Sequence, residues 1–430
     1  MNNKTICLLN DSFPPLIDGV ANAVVNYAEN LRESGDTPIV ITPAHPQADD
    51  RPFPYEVIRY PSVDLREWTG YLAGIPFSPD VTRRLEGQNV ALLHSHCPVA
   101  STLLARELRQ IVDAPLVLTY HTKFDIDIAN LIRSKALQAG SKRALVENIN
   151  ACDEVWAVSR GAGENLRSLG YEGDYIVMPN GVDLPRERVS REEIARAVSG
   201  LDLPEGIPVY LFVGRIMWYK GLRIILDALA RLKAAGKDFR MVFIGDGADR
   251  QEVEDYAVKS GVSDKCMFTG AISRRDTLRA WYCRADLFLF PSTFDTNGLV
   301  VREAAACSLG SVLIAESCAA EGVTDGQNGF LIEENAESLF ACLSALTREA
   351  MAAVGENASR ELYISWETSV KAARERYEVV IDRYKSGAYP SRNRPMEHLL
   401  KANADLMEDL GKLITLRKKL THHPLHSRWL

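Results

Sequence analysis

Short runs of β-branched and aliphatic residues alternate with helix-like segments along most of this chain. In its first part the strand-like runs are Thr5–Leu9, Thr37–Thr42, Glu56–Tyr60, Ala91–Ser95, Pro115–Tyr120, Glu154–Val158 and Tyr175–Met178. Segments with helical spacing lie between most of these runs. Strands that alternate with helices are joined by right-handed crossovers and form a parallel sheet. The sequence therefore predicts an α/β fold.

The same alternation starts again in the second part of the chain. The strand-like runs there are Val209–Val213, Arg240–Ile244, Cys266–Thr269, Leu287–Phe290 and Ser311–Ala315. A chain of 430 residues exceeds the size of one ordinary core, since single cores stop growing near roughly 250–300 residues. We therefore predict two parallel-sheet domains at 1–185 and 207–364, joined by a polar linker at 186–206. A returning amphipathic helix at 365–385 and a helical tail at 386–430 complete the prediction.

Composition limits the classes of partner. A net charge of −7 argues against nucleic acid as the main partner, because phosphate binding needs a basic surface. Eight dispersed cysteines without a C-x-x-C pair predict free thiols in a reducing compartment. The chain begins directly with a strand pattern, and it has no apolar run of membrane-spanning length. We expect a cytoplasmic protein without a signal peptide, at most peripheral at the inner face of a membrane.

Glycines follow strands at places where a phosphate could bind. Ligands of open parallel sheets lie beyond the carboxyl ends of the strands, and two such sheets facing each other would form a cleft. Gly19 lies just before the first helix, whose free N–H groups suit a phosphate. An ordinary strand–helix turn explains the same glycine equally well. The G-x-G-x-x-G fingerprint is absent, which argues against a dehydrogenase.

Two cations follow the first strand of the second half. Arg215 and Lys220 lie in the segment GRIMWYKG at 214–221, beside a predicted helix start. There they would neutralise a diphosphate leaving group, the task of a metal ion in other enzymes. Solvated surface charge is the alternative interpretation.

A further glycine lies in FPSTFDTNGLVVREAAAC, where a loop leads into a helix. The N–H groups near Asn297, Gly298 and Leu299 could receive phosphate oxygens. Glu303 lies on an otherwise apolar helix face, so its carboxylate should have a partner, and it is well placed to accept from the two hydroxyls of a ribose.

Histidines supply the remaining candidates. His121 ends a predicted strand among polar neighbours and would point into the cleft. His94 and His96 have the spacing of a metal pair, but no aspartate or cysteine cluster completes a site, so we predict no metal. The G-x-S-x-G turn that would carry the nucleophile of a Ser-His-Asp triad is absent, so we do not predict such a triad.

Taken in order, several segments carry a resemblance to a known family. They are PPLIDGV, YHT at 120–122, PNGVD at 179–183, GRIMWYKG, GDG at 245–247, FTG at 268–270, PSTFDTNGLVVREA and DGQNGFLI at 325–332. The chain resembles the retaining glycosyltransferases of family 4, which have the GT-B architecture of two facing Rossmann-like domains. The resemblance extends from Ile6 to about Tyr384.

The resemblance implies a metal-independent hexosyltransferase with a nucleotide-sugar donor, for which we expect a UDP-sugar, and no other cofactor. It also implies a role for each candidate: Gly19 lines the diphosphate pocket, Arg215 and Lys220 hold the diphosphate, Gly298 and Leu299 bind phosphates through their amides, Glu303 binds the ribose, and His121 lies by the transferred sugar.

One position departs from the family pattern. Asp295 stands where the family usually has a glutamate, eight residues before Glu303, and that glutamate commonly contacts the sugar. The shorter carboxylate leaves the donor sugar and the action of Asp295 open. The first loop also reads Asp18-Gly19 where paired glycines are common.

Two segments bear on the acceptor. The stretch after His121 is similar to that of diacylglycerol glucosyltransferases, and its basic residues are Lys123, Arg133, Lys135, Lys142 and Arg143. An interfacial helix for anionic lipid and a domain helix with a solvated basic face both fit. The leucine stripe of the tail from Met396 to Leu430 predicts packing on the parent domain or a homodimer, with membrane docking as the alternative.

Two rival functions keep the fold. A sugar-nucleotide 2-epimerase also has two facing Rossmann-like domains, although the block around Asp295 does not suit it. A catalytically degenerate protein retained as a scaffold is the non-enzymatic alternative, and Asp295 is its only support.

Overall fold

The computed structural model describes residues 3–16, 18–65, 72–389, 398–400 and 402, apart from the side chains of Ile126, Asp127, Asn130 and Leu131. Most of the predicted helical tail at 386–430, with the leucine stripe considered for a homodimer, lies outside these residues. The chain forms two compact units. Among the described residues, the first comprises those within 3–158, 162–178 and 370–402, and the second comprises 159–161 and 179–369.

The first unit is built on a seven-stranded parallel sheet with the order β3-β2-β1-β6-β7-β8-β9. Its strands are β1 (Thr5–Leu9), β2 (Thr37–Pro43), β3 (Glu56–Tyr60), β6 (Val90–Ser95), β7 (Leu116–Tyr120), β8 (Glu154–Ala157) and β9 (Ile176–Val177), with a separate antiparallel pair β4 (Ser62–Asp64) and β5 (Leu72–Gly74). Its helices are α1 (Gly19–Glu33), α2 (Pro79–Leu85), α3 (Ala100–Val112), α4 (Phe124–Leu131), α5 (Lys135–Asn150) and α6 (Arg160–Ser168).

The second unit has a six-stranded parallel sheet with the order β12-β11-β10-β13-β14-β15. Its strands are β10 (Val209–Val213), β11 (Arg240–Ile244), β12 (Cys266–Gly270), β13 (Leu287–Phe290), β14 (Ser311–Ile314) and β15 (Phe330–Ile332). Its helices are α7 (Arg191–Ala197), α8 (Leu222–Ala234), α9 (Arg250–Lys259), α10 (Arg275–Arg284), α11 (Leu299–Ala306), α12 (Ala336–Ala345) and α13 (Arg348–Glu361).

Both sheets are covered by helices, which explains the strand composition. The central strands β1, β7, β10 and β13 are almost entirely buried. Strands buried on both faces are continuous apolar runs instead of alternating ones. The predicted α/β class with two parallel sheets is therefore confirmed. All eight cysteines are free thiols, also as predicted.

The predicted linker at 186–206 is wrong. The second unit already begins at Pro179, and α7 lies within the supposed linker. Ser190 and Glu193 form a capping box at its start, and Ile194 and Val198 pack on the core of the second unit. Two apolar residues four positions apart suffice to dock a short helix, so the polarity of the segment was misleading.

The long helix α14 (Trp366–Lys385) agrees with the returning helix predicted at 365–385. From Val370 onward it belongs to the first unit, where the Tyr377 ring stacks on Trp156 with centroids 5.4 Å apart. Arg376 donates to both oxygens of Glu154 at 2.8 and 2.6 Å. Arg374 donates through Nε to Asp36 at 2.5 Å.

Removal of Arg374 should destabilise the first unit. The Asp36 side chain is only 2% exposed, and a buried carboxylate that loses its cation costs about 3–5 kcal/mol. We expect Arg374→Ala to lower the free energy of unfolding in urea by about this amount. Lys371→Ala, an exposed position on the same helix, should change it by less than about 0.5 kcal/mol. Equal effects of the two variants would contradict the prediction.

Candidate functional site

The strand order of each sheet reverses beside its first strand, between β1 and β6 in the first unit and between β10 and β13 in the second. In open α/β sheets ligands bind beyond the carboxyl ends of the strands at such a point. The predicted site residues follow β1 and β7 in the first unit and β10 and β13 in the second. Each unit therefore contributes its own candidate set.

Close backbone contacts shape the second set. Gly221 has φ +77°, and a Cβ there would lie 2.0 Å from the carbonyl oxygen of Pro291. Gly245 has φ +140°, and its Cβ would lie 1.9 Å from the carbonyl oxygen of Gly214. Only glycine tolerates both the conformation and the contact. The loops that follow β10, β11 and β13 are thereby brought together.

Lys220 lies at the centre of this arrangement. Its Nζ donates to Oδ1 of Asp295 at 2.6 Å, and the Ser292 hydroxyl donates to the other carboxylate oxygen at 2.6 Å. Lys220 is 7% exposed. Three aromatic rings have centroids 5.6–5.7 Å from its Nζ, those of Tyr219, Phe290 and Phe294. The structure thus joins two predicted site residues that are distant in sequence.

Arg215 belongs to the same loop but is exposed. Burial raises the pKa of the Tyr219 hydroxyl, and the guanidinium of Arg215 opposes that shift. Arg215 and Lys220 thus place two cations beyond the end of β10, one at the surface and one inside.

The start of α11 is the third part of this set. Gly298 has φ +56° and precedes the helix as its N-cap residue, and no side chain within the described ranges caps this end. The side-chain nitrogen and oxygen of Asn297 are both buried without a hydrogen-bond partner among the described residues. Helix amides and an unpaired buried carboxamide mark a place where a polar ligand is expected.

Glu303 has protein partners, as predicted. Tyr282 donates its hydroxyl to Oε2 at 2.9 Å, and Arg275 donates to Oε1 at 3.0 Å. Arg275 also reaches Asp183 at 3.2 Å. Burial raises the pKa of Glu303, and Arg275 opposes that shift. A carboxylate accepts about four hydrogen bonds, so two hydroxyls of a ligand can still bind.

Arg275 and Tyr282 were not among the predicted site residues. They lie seven positions apart on α10, a spacing that puts two side chains on one helix face. That spacing was the available signal. It does not reveal which helix the face meets.

In the first unit, Asp18 occupies part of the predicted phosphate site. Its carboxylate accepts from the amides of Val20 and Ala21 at 2.9 and 2.7 Å. The expectation that free amides receive a phosphate at the start of α1 is therefore wrong for these two groups. A Cβ at Gly19 would meet nothing within 4 Å, so the backbone there remains open to close approach.

His121 lies in a buried histidine cluster. Its Nε2 is 3.0 Å from Nδ1 of His96. His94 bonds the Tyr377 hydroxyl through Nδ1 at 2.6 Å and the Thr119 hydroxyl through Nε2 at 2.7 Å. His94 and His96 were also considered as a metal-binding pair. The described part of the chain has no group of three His, Cys, Asp or Glu side chains that could hold a metal ion.

Burial keeps the cluster uncharged. It lowers the pKa of His121 to about 3 and holds the pKa values of His94 and His96 well below their usual range. All three rings are therefore neutral near pH 7. In the bond between His96 and His121 one ring nitrogen donates and the other accepts, so the tautomer of one ring sets that of the other.

This burial predicts sensitivity to acid. The unfolded chain binds protons at these histidines below about pH 6.5 while the folded chain does not, so stability falls as the pH decreases. Each histidine contributes about 1.4 kcal/mol per pH unit. We expect His121→Gln to reduce the loss of unfolding free energy between pH 6 and pH 5 by about this amount, measured by urea titration. The exposed His398→Gln serves as control, and equal pH slopes for wild type and His121→Gln would contradict the prediction.

Of the predicted basic residues, Lys123 and Arg133 precede α5, and Lys135, Lys142 and Arg143 lie on it. Arg133, Lys135 and Arg143 are exposed, and Leu137 is 65% exposed, whereas the second half of α5 is anchored by buried residues. The side chains of Ile126 and Leu131, two apolar residues of the same segment, lie outside the described set. No helix within the described ranges is long and apolar enough to cross a bilayer.

Comparison with known families matches both units. The family model described as "Glycosyltransferase Family 4" matches residues 17–186. The family model described as "Glycosyl transferases group 1" matches residues 194–359. The two matches follow each other along the chain and include every predicted site residue.

Relatives and solved structures agree with these matches. An alpha-monoglucosyldiacylglycerol synthase from Acholeplasma laidlawii is 25% identical over 343 residues, covering 77% of this chain and 85% of the relative. A GDP-mannose-dependent alpha-mannosyltransferase from Corynebacterium glutamicum is 25% identical over 338 residues, covering 76% of each. The structure of a sucrose-phosphate synthase from Thermosynechococcus elongatus superimposes with a TM-score of 0.71 at 20% identity, covering 88% of this chain and 100% of that one. The last likeness shows a shared fold, and the predicted GT-B class is confirmed.

Proposed function

The chain belongs to glycosyltransferase family 4, and on that premise we propose that it transfers a hexose from a nucleotide diphosphate sugar to an acceptor, with retention and without a metal ion. The observation that carries the proposal is the bond from the buried Lys220 to the half-buried Asp295, beside the start of α11, which no side chain caps within the described ranges. A cation, helix amides and a carboxylate are there combined at the switch point of one sheet.

The leaving diphosphate needs positive charge, which this loop region supplies. Lys220 is held inside the unit among aromatic rings, where a charge acts more strongly than in water. Arg215 adds a second cation, and the amides after Gly298 add oriented dipoles. Preorganised charges of this kind stabilise a developing anion without reorganisation during the reaction. They would do here what a divalent ion does in other transferases.

The hydroxyl groups of the donor have candidate partners nearby. Glu303 can accept hydrogen bonds from the two hydroxyls of a ribose. Both polar side-chain atoms of Asn297 need a partner, and a phosphate oxygen, which only accepts, could satisfy Nδ2 alone. A sugar hydroxyl both donates and accepts. We therefore assign Asn297 to the transferred sugar. We assign Asp295 to it as well, because it stands where the family usually has a glutamate that contacts the sugar.

For the donor we propose a UDP-hexose, with GDP-mannose as the rival because the Corynebacterium relative is named for it. A thermal-shift screen with UDP-, GDP- and ADP-sugars decides between them. The true donor at 100 times its Kd should stabilise the protein by about 2.7 kcal/mol. Absence of any shift with every sugar nucleotide would contradict the proposed function.

Replacement of Lys220 should reduce catalysis. Loss of one preorganised positive group costs about 10²–10³ in rate, so we expect Lys220→Met to lower kcat/KM by that factor in a coupled assay of released nucleotide. The exposed Lys259→Met in the same unit should leave kcat/KM unchanged.

The unpaired Asp295 carboxylate could itself destabilise Lys220→Met. The double variant Lys220→Met/Asp295→Asn also removes the unpaired negative charge. Its melting temperature should therefore return toward that of the wild type while its activity stays low. Full activity in either variant would contradict the assignment of Lys220 and would favour the scaffold alternative.

For the acceptor we propose a membrane lipid with a glycerol or sugar head group. Two observations support this class. The relatives include glucosyldiacylglycerol synthases from two bacteria, and the start of α5 exposes basic residues around Leu137. Basic side chains with an exposed apolar residue suit an interface that contains anionic lipid.

Vesicle sedimentation tests this part separately. Each basic residue near an anionic surface contributes about 1 kcal/mol, so Lys135→Gln/Lys142→Gln/Arg143→Gln should weaken binding to phosphatidylglycerol vesicles about 100-fold. A triple variant at exposed positions elsewhere, Lys259→Gln/Arg274→Gln/Lys371→Gln, should bind as the wild type does. Equal weakening in both triple variants would show that vesicle binding depends only on net charge and would contradict a specific role for α5. Absence of binding by the wild type would remove the lipid proposal.

A further inference from the structure

Four side chains of the second unit form a continuous polar network. Arg275, at the start of α10, donates to Glu303 on α11 at 3.0 Å and to Asp183 at 3.2 Å. Asp183 belongs to the loop after β9 and ends the PNGVD segment. Tyr282 completes the network by donating to the second oxygen of Glu303 at 2.9 Å. Three separate chain segments thus meet at the Arg275 guanidinium.

Arg275 and Glu303 differ in their access to solvent. The Glu303 side chain is 11% exposed, and that of Arg275 is 45% exposed. The groups that act electrostatically on Glu303 are Arg275 and Tyr282 from α10 and Asp183 from the loop. Among them only Arg275 is positive, since Tyr282 is neutral and Asp183 is an acid. The partly exposed Arg275 is thus the cation that pairs with Glu303.

The protonation state of Glu303 determines which hydrogen bonds it can make. An ionised carboxylate accepts hydrogen bonds at both oxygens, whereas a protonated one must donate at one of them. Two hydroxyls that both donate to Glu303 require the ionised form. Burial disfavours that form, and the opposite charge of Arg275 favours it. The second bond of Arg275, to Asp183, fixes the guanidinium in place.

We propose that Arg275 is a positioning residue for the nucleotide: anchored by Asp183, it holds the Glu303 carboxylate in the orientation and charge state that a ribose diol requires. The proposal rests on the proposed function, which assigns the ribose to Glu303. It also gives the Asp183 of the PNGVD segment a role, as the anchor of Arg275. Tyr282 holds the opposite oxygen and completes the orientation.

Binding of UDP and of 2′-deoxy-UDP, measured by calorimetry between pH 5 and pH 8, tests the proposal. The wild type should prefer UDP, because Glu303 accepts from the ribose diol. Arg275→Gln should weaken UDP binding on the order of 10- to 100-fold, the usual effect of losing a charge-assisted hydrogen bond, here the one between Glu303 and the ribose. This variant should bind both nucleotides nearly equally. Without the guanidinium the pKa of Glu303 rises further, so UDP binding should fall with decreasing pH from a higher pH than in the wild type.

Three matched variants separate positioning from simple structural support. Arg275→Lys keeps the charge and should retain the pH profile while losing part of the ribose preference. Asp183→Asn frees the guanidinium and should give an intermediate loss. Arg274→Gln changes an exposed neighbour that has no side-chain partner within the described residues, and it should behave as the wild type.

The outcomes distinguish the inference from the proposed function. Equal weakening of UDP and 2′-deoxy-UDP by Arg275→Gln at every pH would overturn the positioning role and leave only structural support. An unchanged ribose preference in Arg275→Gln would overturn it as well. Failure of the wild type to bind any nucleoside diphosphate would instead remove the proposed function itself.

Discussion

A positive charge held inside the second unit is the constraint on which the rest of that unit depends. Water hydrates the Lys220 ammonium very little, so the ion is stable there only with a partner. Asp295 supplies it at 2.6 Å. The pair requires the loops after β10 and β13 to approach closely, which glycine at position 221 permits. Charge pairing, glycine placement and sheet order are therefore parts of one solution.

The same rule organises other buried charges. Glu303 is paired with Arg275 in the second unit, and Asp36 is paired with Arg374 in the first. The histidine cluster contains no charge to pair, because burial lowers the pKa values of its rings and leaves them neutral. In these examples an interior group is either paired with an opposite charge or uncharged near pH 7. The paired ones lie beside the candidate ligand groups in the second unit.

The sequence predicted the parts of this arrangement that depend on local pattern. Strand-like runs separated by helical spacing indicated two parallel sheets, and Lys220, Gly298 and Glu303 were singled out by the loops that carry them. The predicted linker failed because a short helix needs few apolar residues to dock. The amides of Val20 and Ala21 were predicted free because the capping by Asp18 went unrecognised, although a residue of this type is a usual N-cap.

Contacts between residues that are distant in sequence could not be predicted from local sequence patterns. The Lys220–Asp295 bond joins residues 75 positions apart, and the meeting of Arg275 with Glu303 depends on how α10 packs beside α11. Periodicity shows which helix face is polar or apolar, but the partner of that face follows from the strand order. The pairing of His96 with His121, which follow the neighbouring strands β6 and β7, likewise required the sheet topology.

The central claim is that fixed cations and amide dipoles neutralise the leaving diphosphate. Its most direct test is the rate of UDP release from UDP-glucose, with vesicles containing diacylglycerol as acceptor, in excess EDTA and then in added magnesium or manganese. We expect the same rate of UDP release in all three conditions. Release that stops in EDTA and returns only with a divalent ion would contradict it.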